Sequence, residues 1–211
     1  MEVTGEVVTV RGEAELFART AHLFAAAGDV ACAANDMHTW TASRQVAESE
    51  ATDRTVRKLY RPAVLLDPGQ VQHLRERKRF GAQIRITSDE INETIILDRR
   101  LAILAGDLSA GERSYSVVTR PEVVQSVTSL FNAAWRAATE LEVFEMRFAE
   151  IRVLAPRILE VLASGCKDET AARTLGLGLR TYRRRVAELM AALGATSRFQ
   201  AGARARELGL V

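Results

Sequence analysis

Four arginines in one short stretch, Arg180, Arg183, Arg184 and Arg185, are the side chains whose type and spacing best suit a chemical task. A guanidinium is permanently charged and presents a planar fork of donors, which matches phosphate oxygens and the major-groove edge of guanine. The chemistry in question is recognition of a polyanion, not turnover. A solvated helix face is the competing explanation, because runs of charge are often only surface. Nothing in the sequence spells out catalysis. His22, His38 and His73 are the only histidines, and no nucleophile elbow, P-loop, GxGxxG or metal-ligand spacing accompanies them. Cys32 and Cys166 stand far apart without a CxxC or Cys/His pattern, which predicts reduced core or near-surface thiols. The expectation is a protein that is not an enzyme, with no metal and no cofactor.

The arginines need an element to carry them. The stretch KDETAARTLGLGLRTYRRRV, residues 167–186, reads as two short helices around a tight turn. Asp168 is the expected N-cap of the first, with Glu169 suiting the helix dipole and Ala171, Ala172 and Leu175 forming a small apolar face. Gly176-Leu177-Gly178 supplies the reversal. The second helix starts near Leu179 and turns Tyr182, Val186, Leu189 and Met190 inward at i, i+4, i+7 and i+8. The arginines lie mostly off that stripe. This is the pattern of a helix-turn-helix whose second helix enters a major groove.

The last quarter of the chain, with RILEVLASG, AARTLGL, RTYRRRV, LMAALGA, SRFQAG and ARARELGL, resembles the four-helix DNA-binding domain of the LuxR/NarL family. Arg185 stands where that family usually has histidine, and its opening L-T-x-R-E element is not recognisable around residues 151–156. The resemblance implies that Arg183 and Arg184 reach base edges, with Arg185 at the groove or on a phosphate. It likewise implies phosphate contacts from Arg180, Thr181 and Lys167. Such domains usually dimerise through the last helix, here about 198–208, where Ala201, Gly202, Ala203 and Ala205 would allow close approach. The implied partner is double-stranded DNA, bound by a homodimer at an inverted repeat. The alternative is an interaction protein whose C-terminal helices bind a protein partner.

Charge is distributed accordingly. Residues 151–211 hold 11 Lys/Arg against 5 Asp/Glu, so +6 of a net +2, while the first 150 hold 18 against 22, so −4. Only the C-terminal part has the basic footprint that counterion release on DNA rewards. No apolar run approaches the ~18 residues of a membrane span and no secretory leader is evident, so a cytoplasmic protein with no membrane partner is expected.

Ahead of these helices the pattern is α/β. Val7, Val8 and Val10 begin an expected edge strand, a helix follows from Glu13 until Gly28 ends it, and residues 30–34 fit a buried strand. Residues 38–53 read as a polar loop. Residues 56–66 read as a strand that Arg61-Pro62 demotes to an edge or bend. A helix over 68–80 is followed by strands at 83–87, 93–97, 101–104 and 114–119, with Asp98-Arg99-Arg100 as a tight turn. A helix from Pro121 then buries Val124, Val127, Leu130, Phe131 and Trp135. Residues 139–152 read as a linker helix with Leu141, Phe144, Phe148 and Ile151 on one side, between an α/β domain at 1–138 and the helix-turn-helix domain at 153–211.

This order, with a hairpin ending in DRRLAILAG, resembles one half of a phospholipase D-like (TrmB-like) fold as it occurs in regulators. The active enzymes of that family carry H-x-K-x4-D on the hairpin. With Asp98 as the aspartate, Ile91 stands at the histidine position and Glu93 at the lysine position. Isoleucine cannot attack phosphorus and a glutamate repels phosphate, so the resemblance implies the fold without the chemistry. Such a domain is a sensor for a small-molecule effector or an assembly platform. Asp36, His38, Trp40, Arg61, Asp89, Glu90 and Asn92 come from loops or strand ends and are candidates to line a pocket, each with an equally good structural explanation. His73 with Arg75, Arg77, Lys78 and Arg79 is either an anion patch or a solvated helix face.

Overall fold

The computed structural model describes residues 7–35, 54–109 and 112–211. Asp36, His38 and Trp40, and the expected loop around them, lie outside the described residues.

An eight-stranded mixed sheet organises the first part of the chain. In chain order the strands are β1 (Val7–Arg11), β2 (Asp29–Ala34), β3 (Thr55–Tyr60), β4 (Gln83–Ile86), β5 (Thr94–Leu97), β6 (Leu101–Ser109), β7 (Glu112–Val118) and β8 (Thr139–Glu140). They lie side by side as β1-β7-β6-β5-β2-β3-β4-β8. β2, β3 and β4 run parallel, and every other pairing is antiparallel. β1 is the predicted edge strand. Of the edge or bend expected at Arg61-Pro62, the structure has the bend: β3 itself is interior. The reason is local: the strand ends at Tyr60, and Pro62–Leu65 turns into a 3-10 helix, so the proline never enters the ladder.

Residues of alternate parity along the strands separate two cores, as a pleated sheet buried on both faces requires. Ala31, Ala33, Leu59, Ile96, Ala102 and Val118 face helix α3 (Pro121–Ala137), which covers them with Val124 and Phe131. Arg57 stacks under Phe131 and Arg85 under Trp135, at 5.4 and 5.0 Å from the ring centroids. Leu130, predicted on this face, is 72% exposed, because the contact line runs through Val124, Val127, Phe131 and Trp135 and leaves Leu130 to one side. The opposite face carries Val30, Cys32, Ala34, Tyr60, Ile84, Ile86, Ile95, Leu97, Ile103 and Val117, under helices α1 (Glu13–Ala26) and α2 (Pro68–Arg79). α1 ends at Ala26, and the extended Ala27 caps it, one residue before the expected Gly28. Asp67 caps α2, accepting a hydrogen bond from the Gly69 N–H at 2.7 Å.

The hairpin turn between β5 and β6 puts Asp98 and Arg99 at φ 49° and 54°. Two consecutive left-handed residues match the right-handed twist of the flanking strands. β6 runs on to Ser109, past the expected end at Leu104, with a register shift between Ala105 and Leu108.

After β8, helix α4 (Leu141–Ala163) runs unbroken for 23 residues through Pro156. The stretch expected as a linker is its first half, which buries Leu141, Phe148 and Ile151 against the chain's own core. Its second half buries Ala155, Ile158 and Leu159. Helices α5 (Asp168–Thr174), α6 (Leu179–Ala192) and α7 (Arg198–Glu207) complete the chain. One continuous apolar cluster runs from Val10 to Ala205 and joins sheet and C-terminal helices. No helix of the described residues is long and apolar enough to cross a membrane.

Candidate nucleic-acid interface

α5, α6 and α7 pack around the second half of α4. α5 contributes Ala171, Ala172 and Leu175 to the interior, α6 contributes Tyr182, Val186, Leu189 and Ala192, and α7 contributes Ala201 and Ala205. The predicted inward stripe of α6 is the observed one, with Met190 half-buried at its margin. Small residues on α7 and α5 let these short helices approach closely. Ala201 and Ala205 are spent inside this fold, which leaves only Gly202 and Ala203 of the expected dimer stripe exposed.

The turn from α5 to α6 follows from Gly176 at φ +69°, a left-handed conformation costly to any residue with a Cβ. It lets the Leu177 N–H reach back to the Ala172 carbonyl at 2.8 Å. At the head of α7, Ser197 accepts from the Gln200 N–H at 3.2 Å. Gln200 reaches back past the cap to accept from the Thr196 N–H at 2.8 Å, a variant of the capping box in which the bond goes to the residue before the N-cap. This is the physical content of the SRFQ motif.

Six residues were singled out from the sequence. Lys167 is exposed and occupies the N-cap position of α5, so Asp168 is the first helical residue and not the cap. Asp168 has a different part: its carboxylate accepts from Arg183 Nε at 2.9 Å and Arg198 Nη1 at 2.8 Å. One carboxylate thus ties the starts of α5 and α7 to α6. The hydrogen bonds from Arg198 and then Arg183 hold the Asp168 carboxyl below its ordinary pKa, and the same bond raises that of Arg198. Sequence spacing gave no sign of this cluster, since its three members come from three helices.

Arg180 is exposed in the first turn of α6, and Thr181 beside it is half-buried. Arg183 and Arg184 are 58% and 63% exposed; Arg184 lies 3.7 Å from Glu188 on its own helix. Arg185 differs from the rest. Its side chain is only 11% exposed and is bonded to Glu150 of α4 and, at 2.7 Å, to Glu188. At the fourth position of the run it has turned past the open face of the helix and back toward α4. The open face of α6 therefore carries Arg180, Arg183 and Arg184 together, with Lys167 at the head of the preceding helix.

The other predicted constellation lies along the approach to β5 and the β5–β6 turn. Ile91 is half-buried and apolar. Glu93 is buried, pairs with Arg113 at 2.5 Å, and accepts from the Asn35 N–H at 3.2 Å. Asp98 Oδ1 accepts from the Gly28 and Asp29 N–H groups at 2.9 and 2.8 Å, pinning the hairpin to the start of β2. Of the pocket candidates, Arg61 is half-buried while Asp89, Glu90 and Asn92 are exposed. The basic run on α2 is partly spoken for: Arg75 bonds Glu145 at 3.0 Å and Lys78 bonds Glu142, both on α4. His73 lies 3.4 Å from Arg77 on the same helix, and His22 is exposed on α1.

Comparison with known proteins adds to this geometry. TrmBL2, an archaeal chromatin protein whose structure shows a novel mode of DNA binding, superposes with a TM-score of 0.53 at 16% identity, over 67% of this chain and 56% of its own. The chain shares that fold. Nuc, a phospholipase D family member from Salmonella typhimurium, gives a TM-score of 0.48 at 12% identity, over 64% of this chain and 98% of its own. In sequence, a regulatory protein of the bialaphos biosynthetic pathway of Streptomyces hygroscopicus is 33% identical over 158 residues, 74% of this chain. The chain spans 62% of the length of that curated relative. No family model matches.

Proposed function

We propose that this chain is a transcriptional regulator that binds duplex DNA through α6. The observation that carries the reading is the pairing of a buried stripe, Tyr182, Val186 and Leu189, with Arg180, Arg183 and Arg184 on the open side of the same helix. The regulatory protein of Streptomyces hygroscopicus supports it from sequence. In this reading α6 is the recognition helix of a LuxR-type helix-turn-helix. Arg183 and Arg184 read base edges, while Arg180, Thr181 and Lys167 hold phosphates. Arg185, committed to Glu150 and Glu188, orients α6 on α4 instead of reaching the groove. A homodimer would set two copies of α6 about one helical turn of DNA apart, on an inverted repeat. The sheet domain is a non-catalytic phospholipase D-like sensor or platform, since Ile91 and Glu93 offer neither a nucleophile nor a phosphate-holding cation. Selection of random duplexes by the protein at two salt concentrations tests the reading. Enrichment of an inverted repeat with half-sites about ten base pairs apart is the expected result. Salt-sensitive binding without any preferred sequence would overturn it.

A further inference from the structure

The most unusual placement of charge in the molecule is not on α6. Arg61 closes β3 at the carboxyl end of the three parallel strands, and Arg204 projects from α7. The two guanidiniums meet at Gly194, in the turn between α6 and α7. A Cβ at Gly194, whose φ is +64°, would lie 2.7 Å from Arg204 Nη1 and 3.0 Å from Arg61 Nη2, so both guanidiniums approach the backbone of this turn from its Cβ side.

Arg204 is exposed overall, but its Nη1 donates to the Leu193 carbonyl at 2.9 Å, which holds the guanidinium at the turn. Arg61 is half-buried, and its buried Nε has no hydrogen-bond partner among the described residues. Among the described residues neither guanidinium forms an ion pair with a carboxylate. Burial first, then the neighbouring Arg204, works against the charge on Arg61. Glu90 and Asp89 act on it in the opposite direction, but both are exposed to water. Two like charges brought together, one with an orphaned donor, leave a need for a counter-anion.

We propose that Arg61 and Arg204 form a binding site for a small phosphate monoester at the junction of the sheet with the α6–α7 turn. A phosphate dianion balances two guanidiniums and offers three oxygens to donors arriving from two directions. Arginine suits this role better than lysine because its fork of donors is fixed. Occupancy ties the carboxyl end of β3 to the turn after α6, and so stabilises the folded chain. The site requires no DNA and stands or falls apart from the DNA-binding reading.

The test is titration of the full chain, without DNA, with inorganic phosphate and with glycerol 3-phosphate, read by calorimetry and by thermal midpoint. Sodium chloride at matched ionic strength is the control. The expected result is saturable binding of both probes, weakened at least tenfold in Arg61→Gln and in Arg204→Gln. Arg100→Gln, an equal loss of charge on the β5–β6 turn, should bind as the wild type does. Arg61→Lys keeps the charge but not the fork, and should fall between wild type and Arg61→Gln; it also serves if Arg204→Gln fails to fold. A response no larger than that to chloride would overturn the proposal. So would undiminished binding in Arg61→Gln, or an equal loss in Arg100→Gln.

Discussion

Arg184 and Lys167 are both exposed cations near the start of their helices' open faces, yet they are expected to act differently. In the proposed complex Arg184 meets base edges, so Arg184→Ala should cost about 1–3 kcal/mol and relax preference at one base position. Lys167→Ala should weaken all sequences alike and lower the salt slope by about one counterion. Affinities on the selected site and on a scrambled one, over a salt series, separate the two; equal losses on both DNAs would refute the division. Asp168 gives a second test. Its carboxyl is held below the ordinary aspartate value by Arg198 and Arg183. The stabilisation is therefore fully present above about pH 4, the unfolded-state range, and disappears as pH falls through the lowered native value. Asp168→Asn should lower the thermal midpoint at pH 7, and the gap from wild type should close on acidification below about pH 4. A gap independent of pH would mean that the carboxylate's charge is not what matters. Cys32, by contrast, is a core residue; burial pushes its thiol up to about 11, which accords with a reduced interior cysteine.

At the scale of elements, the turn between α5 and α6 rests on backbone conformation more than on contacts. No atom lies near enough to obstruct a Cβ at Gly176, so only its φ of +69° penalises a side chain there. Gly176→Ala should cost about 1–2 kcal/mol in denaturant midpoint without changing the fold. A neutral effect would show that the turn can relax. Gly194 is a different case, because there a Cβ would collide with Arg204 and Arg61. α4 shows how an element can outgrow its sequence reading. Its stripe of Leu141, Phe148 and Ile151 was legible, but the same helix continues past Pro156 and serves both the sheet and the C-terminal helices.

On one face of the sheet the apolar cluster is continuous with that of the C-terminal helices, with Val10 of β1 and Ala205 of α7 both in it. Leu189, fully buried in α6, should therefore report on the sheet as well. Leu189→Ala is expected to cost about 2–5 kcal/mol. It should lower the unfolding midpoint equally by far-ultraviolet circular dichroism and by tryptophan fluorescence, to which Trp135 beside the sheet contributes. Two separated transitions would show that the C-terminal helices melt on their own.

Most helices and strands were legible in the chain, because apolar periods of 3.6 and 2 are local properties. The sequence also showed the inward stripe of α6, the arginines opposite it, the basic C-terminal part, and the tight turn at Asp98-Arg99-Arg100. Only the tertiary structure decided which charges are spent and which remain open. Arg185 is consumed by Glu150 and Glu188, Arg183 stays 58% exposed while bonded to Asp168, and Ala201 and Ala205 are buried inside the fold. It alone brought Arg61 to Arg204. Periodicity reports which side of a helix faces inward, but not what another element presents to that helix. Ion pairs and like-charge encounters between distant residues depend on those packing geometries, and no local pattern encodes them.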